Sequence, residues 1–193
     1  WAIRLGTFLF RRVRAAGEDR RFREVKPSLV RFLIYWTIQG LWVSLTLAAA
    51  LAAITTMTRR DLGIFALIGF LLWLLGFGIE VIADRQKSMF RADPQNAGKF
   101  INTGLWSWTR HPNYFGESLI WWGLFVIAVS NPANWWTLVS PVIITAVLLK
   151  MTGIPLTEKL IVEKRPGYRD YISNTPAFFP WLPKKRNSKT NMR

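Results

Sequence analysis

Apolar runs separated by basic segments organise this chain. Residues 1–10, WAIRLGTFLF, read as the closing turns of a helix, and an arginine-rich loop follows over residues 11–26. Pro27 then opens the next helix, because its fixed φ suits a first turn. Four predominantly apolar stretches come next, at residues 30–54, 62–83, 113–130 and 135–149. Crossing a bilayer takes roughly 20 residues of helix, so the pattern predicts an all-α, polytopic transmembrane bundle. Residues 58–61 and Asn131-Pro132 are short connections. The segment 84–112 is long and polar, and is punctuated by Asp93-Pro94 and Thr103-Gly104. Beyond the fourth stretch the sequence predicts an interfacial helix over 156–164, then a tail rich in proline and aromatic residues. The expected organisation is a single transmembrane domain over 1–183, followed by a basic end at 184–193 whose composition favours disorder. The opening at Trp1, already inside an apolar pattern, reads as a fragment whose first helices lie outside the numbering.

Charge gives the pattern an orientation. The chain of 193 residues is 51% hydrophobic and carries a net charge of +15. In a soluble domain that charge would point to nucleic acid. Here the cations sit in loops and tails between apolar runs, where they meet lipid head groups or an anionic ligand, so no nucleic-acid partner is expected. They crowd into residues 11–31, 84–112 and 150–193, while the opposite connections hold only Arg59 and Arg60. The positive-inside rule then places the 11–29 loop, the 84–112 loop and the C-terminus in the cytoplasm. Topology alone can produce this asymmetry, but it also gathers every chemically rich segment on one side. Cysteine is absent, which excludes disulfides and thiolate chemistry, and a single histidine leaves no metal-ligand cluster.

Thr109-Arg110-His111-Pro112-Asn113-Tyr114-Phe115-Gly116-Glu117 is the densest chemistry in the chain. Pro112 suits the first position of a helix. Asn113, Glu117 and Trp121 then recur every four residues on one face. A stripe of amide, carboxylate and indole is costly against lipid. It either braces helices as a buried network or lines a cavity, where the amide and carboxylate bond an amide-bearing ligand and the indole gives a flat wall. His111 alone reads more readily as a structural hydrogen-bonder. Glu80 and Asp84 share a helix face at the end of the second long stretch, as a solvated helix end or as the polar floor of a site. Arg91 and Lys99 flank a loop able to wrap a polyphosphate, whose oxygens guanidinium binds bidentately. Gly76 and Gly78 read as packing points between helices, and Trp106, Trp108, Trp135, Trp136 and Trp181 as interface anchors.

Three segments carry a family resemblance: GFGIEVIADRQKSMFR (76–91), TGLWSWTRHPNYFGE (103–117) and EKRPGYRDYISNTPAFFPW (163–181). Together they resemble the steroid 5α-reductase and sterol reductase superfamily, in particular prokaryotic membrane proteins with the DUF1295 or steroid 5α-reductase C-terminal domain. The resemblance implies a multi-pass fold in a prokaryotic inner membrane, with a cytosol-facing cavity for NADPH. It implies hydride delivery to the β-carbon of an enone, such as a 3-oxo-Δ4 steroid or a sterol-like lipid. Matched position by position, Asp84, Arg91, Asn113, Glu117 and Trp121 fall on the family's NADPH-site positions, and Arg4 looks like the family's arginine in the helix before the first cytoplasmic loop, a further cofactor contact. Lys99 stands where relatives often have arginine, and Glu80 where some have asparagine. Near the C-terminus, Glu158 and Tyr168 stand near a cofactor-contacting histidine and tyrosine. The family's carbonyl-polarising acid and tyrosine belong to its earliest helices. Trp1 falls near the tyrosine's place and the acid before it, so no catalytic residue is assigned. The Arg-His-Pro-x-Tyr-x-Gly string is shared with isoprenylcysteine carboxyl methyltransferases, which makes an S-adenosylmethionine-dependent membrane methyltransferase the alternative.

Overall fold

The computed structural model describes residues 1–17, 22, 25–55, 63–151 and 153–182, and among them it is all helical. The connection at 58–61 and the basic end at 184–193 lie outside the described residues. Among the described residues, three stretches are long and apolar enough to cross a membrane: Leu29–Thr46, Ile64–Ala92 and Pro132–Lys164.

The chain divides into two compact units, Trp1–Leu47 and Ala48–Arg193. The first holds α1 (Ala2–Ala16) and α2 (Leu29–Thr46). The start of α2 is set by Ser28, whose hydroxyl accepts the Arg31 N–H at 3.4 Å, so the cap falls just after the expected Pro27. The stretch expected as one helix over 30–54 is broken at Leu47, beyond which α3 (Ala48–Thr55) begins.

In the second unit, α4 (Ile64–Ala92) and α5 (Pro112–Ala128) form the frame. Two glycine pairs let them touch backbone to backbone. A Cβ on Gly69 would lie 2.6 Å from the Gly123 carbonyl oxygen, and one on Gly76 would lie 2.6 Å from that of Gly116. Rising numbers on one helix meet falling numbers on the other, so the pair is antiparallel. Small residues at such a seam allow close approach where no hydrophobic effect drives helices together. Gly78, expected to pack as Gly76 does, faces open space.

The 29 residues of α4 span about 43 Å. That exceeds a hydrocarbon core of roughly 30 Å, so the polar turns from Asp84 to Arg91 extend the helix beyond its apolar length. The sequence pattern placed these residues in a loop, because charge ends the apolar run before the helix itself ends. The loop that follows returns to α4. The Trp106 indole N–H donates to the Ala83 carbonyl at 3.2 Å, and the Leu105 N–H to Gln86 Oε1 at 3.0 Å. Trp106 is therefore a core residue, 4% exposed, and not an interface anchor.

The polypeptide completes the unit with α6 (Val139–Lys150), α7 (Ile154–Lys164) and α8 (Tyr168–Asn174). A 3₁₀ stretch, Pro132–Leu138, precedes α6. Ser118 and Thr145 hydroxyls meet at 2.6 Å, linking α5 to α6. Gly167, at φ 78°, takes the left-handed conformation that starts α8. The closing segment is sewn onto the loop before α5. The Arg110 N–H donates to the Pro176 carbonyl at 2.9 Å, and the Trp181 N–H to the Trp108 carbonyl at 3.0 Å. The Thr109 hydroxyl reaches the Ala177 and Phe178 carbonyls at 3.1 and 3.0 Å.

Candidate functional site

The polar end of α4, the 96–101 loop, the start of α5 and the α7–α8 segment enclose a cavity of about 200 Å³. Five Lys or Arg side chains line it: Lys87, Arg91, Lys99, Arg110 and Arg165. No Asp or Glu is among the lining residues. Its walls are aromatic. Phe100 meets Tyr168 edge-on at 5.1 Å and stacks with Tyr171 at 5.3 Å, and Lys87 Nζ sits 4.7 Å from the Trp106 ring centre. Arg165 donates to the Lys99 carbonyl at 2.7 Å, which joins the two rims. The Tyr171 hydroxyl donates to the Trp106 carbonyl. Burial pushes the Tyr168 phenol up to about 12, so it is a neutral hydroxyl at physiological pH.

Behind the cavity lies an ion-paired pin. Arg110 grips Glu158 with two nitrogens, Nε to Oε1 at 2.7 Å and Nη2 to Oε2 at 3.2 Å. Its Nη1 donates to the Ile172 carbonyl at 2.9 Å and also to that of Thr175. The remaining edge of Glu158 is taken by His111, whose Nε2 is 2.9 Å from Oε1. A neutral imidazole makes that bond as the Nε2–H tautomer. Burial holds the His111 pKa below its usual value, while hydrogen bonding and charge from Glu158 oppose the shift. The ring also stacks on Tyr114 at 5.2 Å, and the Tyr114 hydroxyl is 3.3 Å from that of Thr157. His111 is thus the structural hydrogen-bonder that its sequence position favoured. Arg110, although a cation, has its charge matched by Glu158.

The residues singled out in the sequence fall into three places. Arg91, Lys99 and Tyr168 line the cavity. Asp84 lies on α4, while Asn113, Glu117 and Trp121 follow one another along α5. Glu80 sits against Gly116, with its Cβ 3.2 Å from where a glycine Cβ would stand, and Glu117 is within electrostatic reach of Glu80 and Asp84. Asn113 Oδ1 is buried and accepts no hydrogen bond, and Trp121 is buried. Arg4 lies on α1, in the first unit. Sequence reasoning passed over Lys87, Phe100, Arg165 and Tyr171. The basic and aromatic string Arg-Pro-Gly-Tyr-Arg-Asp-Tyr over 165–171 was the available signal.

These features define a helical protein with membrane-spanning potential and an anion-suited, aromatic-walled cavity at one end of an antiparallel helix pair. The chain belongs to the DUF1295 family, described as a protein of unknown function and matched over residues 1–175, within the steroid 5α-reductase-like superfamily. An uncharacterized protein of Schizosaccharomyces pombe is 28% identical over 212 residues, covering 94% of this chain. The chain spans 61% of that relative's length. No solved structure matches.

Proposed function

We propose that the protein is an NADPH-dependent membrane reductase that delivers hydride to the β-carbon of an enone, with a 3-oxo-Δ4 steroid or sterol-like lipid as the substrate class. The observation that carries this reading is the cavity lined by Lys87, Arg91, Lys99 and Arg165, besides the Glu158-paired Arg110, with no acid among its lining residues. Phosphates complement those cations, and Phe100 and Tyr168 offer flat surfaces to a heterocycle. The buried Asn113 Oδ1 lacks a donor, which a carboxamide N–H would supply. At about 200 Å³ the cavity is smaller than the roughly 300 Å³ at which drug-sized pockets begin, so it suits one end of a dinucleotide rather than the whole.

Lys87, Arg91, Lys99 and Arg165 would hold the phosphates, and Tyr168 would present a neutral hydroxyl. NADPH, when bound, supplies the hydride, and the protein supplies placement and electrostatics. By the superfamily's pattern, the acid and tyrosine that polarise the substrate carbonyl belong to its earliest helices, and no residue of this chain is assigned to either role. The cation distribution supports a cytosolic face for this cavity and for the C-terminus, at the inner membrane of a prokaryotic cell.

The alternative is an S-adenosylmethionine-dependent methyltransferase. A cationic sulfonium is poorly matched to a cavity rich in Lys and Arg, so the lining residues favour the reductase reading. Thermal stability of the detergent-purified protein separates the two. NADPH at about 100 times its Kd should add about 2.7 kcal/mol, while S-adenosylmethionine should add nothing. A shift with S-adenosylmethionine and none with NADPH would reverse the assignment.

A further inference from the structure

We infer that Trp108, Phe179, Trp181 and Leu182 form an interfacial anchor that seats this segment in the head-group layer of an anionic lipid leaflet. All four side chains are exposed, Trp108 by 46%, Phe179 by 70%, Trp181 by 72% and Leu182 by 71%. They form one patch because the backbone makes them one. The Trp181 N–H donates to the Trp108 carbonyl at 3.0 Å, and Thr109 holds the carbonyls of Ala177 and Phe178. Phe178 turns inward, 5% exposed, and packs edge-on against Phe115 of α5 at 5.6 Å. Phe179 is thereby turned outward beside the first turn of α5.

The patch stands where α5 begins, at the same end of the helix pair as the polar turns of α4. Large amphipathic rings collect at the level where apolar helix gives way to head groups. In water the same patch would promote association. Charge identifies the leaflet. Directly after Leu182 the sequence carries Lys184, Lys185, Arg186, Lys189 and Arg193 and no acid. Basic clusters of this size next to a membrane segment attract anionic lipids. A second copy of this chain is a poor occupant, because its net charge of +15 would be repelled.

The absence of cysteine makes a clean test possible. Leu182→Cys in the full chain, labelled with a polarity-sensitive fluorophore, is reconstituted into phosphatidylcholine vesicles with or without phosphatidylglycerol. With the anionic lipid, a shallow lipid-borne nitroxide should quench the label and aqueous iodide should not. Replacing Lys184, Lys185 and Arg186 by Gln, or raising the salt, should cut the lipid quenching several-fold. Full access to iodide in both vesicle types overturns the anchor. So does shielding from iodide without lipid quenching, the result a protein partner or second copy would give. Equal lipid quenching in both vesicle types, unmoved by the Gln substitutions, overturns the assignment to an anionic leaflet.

Discussion

At the scale of single residues, Glu158 carries the most consequence. It is the counter-ion of Arg110 and the acceptor for His111, with the Arg110 and Glu158 side chains only 8% and 15% exposed. Removing one partner of such a pair leaves the other charge poorly solvated. Glu158→Ala should therefore lower stability by about 3 kcal/mol. Glu158→Gln keeps an acceptor oxygen and should cost less; thermal unfolding in detergent would rank the two. His111 gives a pH signature. Its folded pKa lies below the free value of 6.5, so below pH 6.5 the unfolded chain binds more protons than the native one. Stability is then full above that pH and declines as pH falls through the lowered value, and His111→Gln should flatten this slope. Arg91 and Lys99 are exposed on the cavity rim, so Ala at either should weaken NADPH binding by about 0.5–1 kcal/mol, roughly two- to fivefold. Unchanged affinity in both, measured by fluorescence titration, would remove the rim from the site.

At the scale of elements, the α4–α5 seam decides the architecture. Gly76→Ala puts a methyl 2.6 Å from the Gly116 carbonyl oxygen, so the helices must separate. Overpacking of this kind typically costs about 1–3 kcal/mol. Gly78→Ala, two residues away in open space, should instead gain about 0.5–1 kcal/mol from helix propensity. Parallel melting curves of the two variants would test the seam, and equal effects would refute it. The sequence pattern located α4 and α5 because each carries a long apolar run and, for α5, a proline at its start, and it located the α7 region as the helical segment beyond the last run. The break at Leu47 was not readable, since no proline or glycine marks it. The last turns of α4 were hidden by their charge. Trp106 gave no sign of being core, because its burial depends on a carbonyl 23 residues earlier.

At the scale of the molecule, the candidate site was legible as a set of residue types but not as an assembly. Arg91, Lys99 and Tyr168 meet in one cavity, whereas Asn113 and Glu117 lie along α5 and Arg4 belongs to the other unit. The contacts that gather the first group are long-range, Arg165 to the Lys99 carbonyl across 66 positions and Phe100 against Tyr168, which no local pattern reports. If phosphates bind this cavity, NADPH affinity should fall as salt is raised, and less steeply in the Arg91→Ala protein, because screening weakens exposed charge pairs. Isothermal titration at two salt concentrations would show it. The far wall of the cavity comes from residues 157–171, well after α4 and α5 in chain order. During synthesis, α4 and α5 are therefore both made before the chain that closes this cavity leaves the ribosome. A product cut short after α6 would keep the α4–α5 pair and its apolar length, yet it would lack the wall on which the proposed site depends.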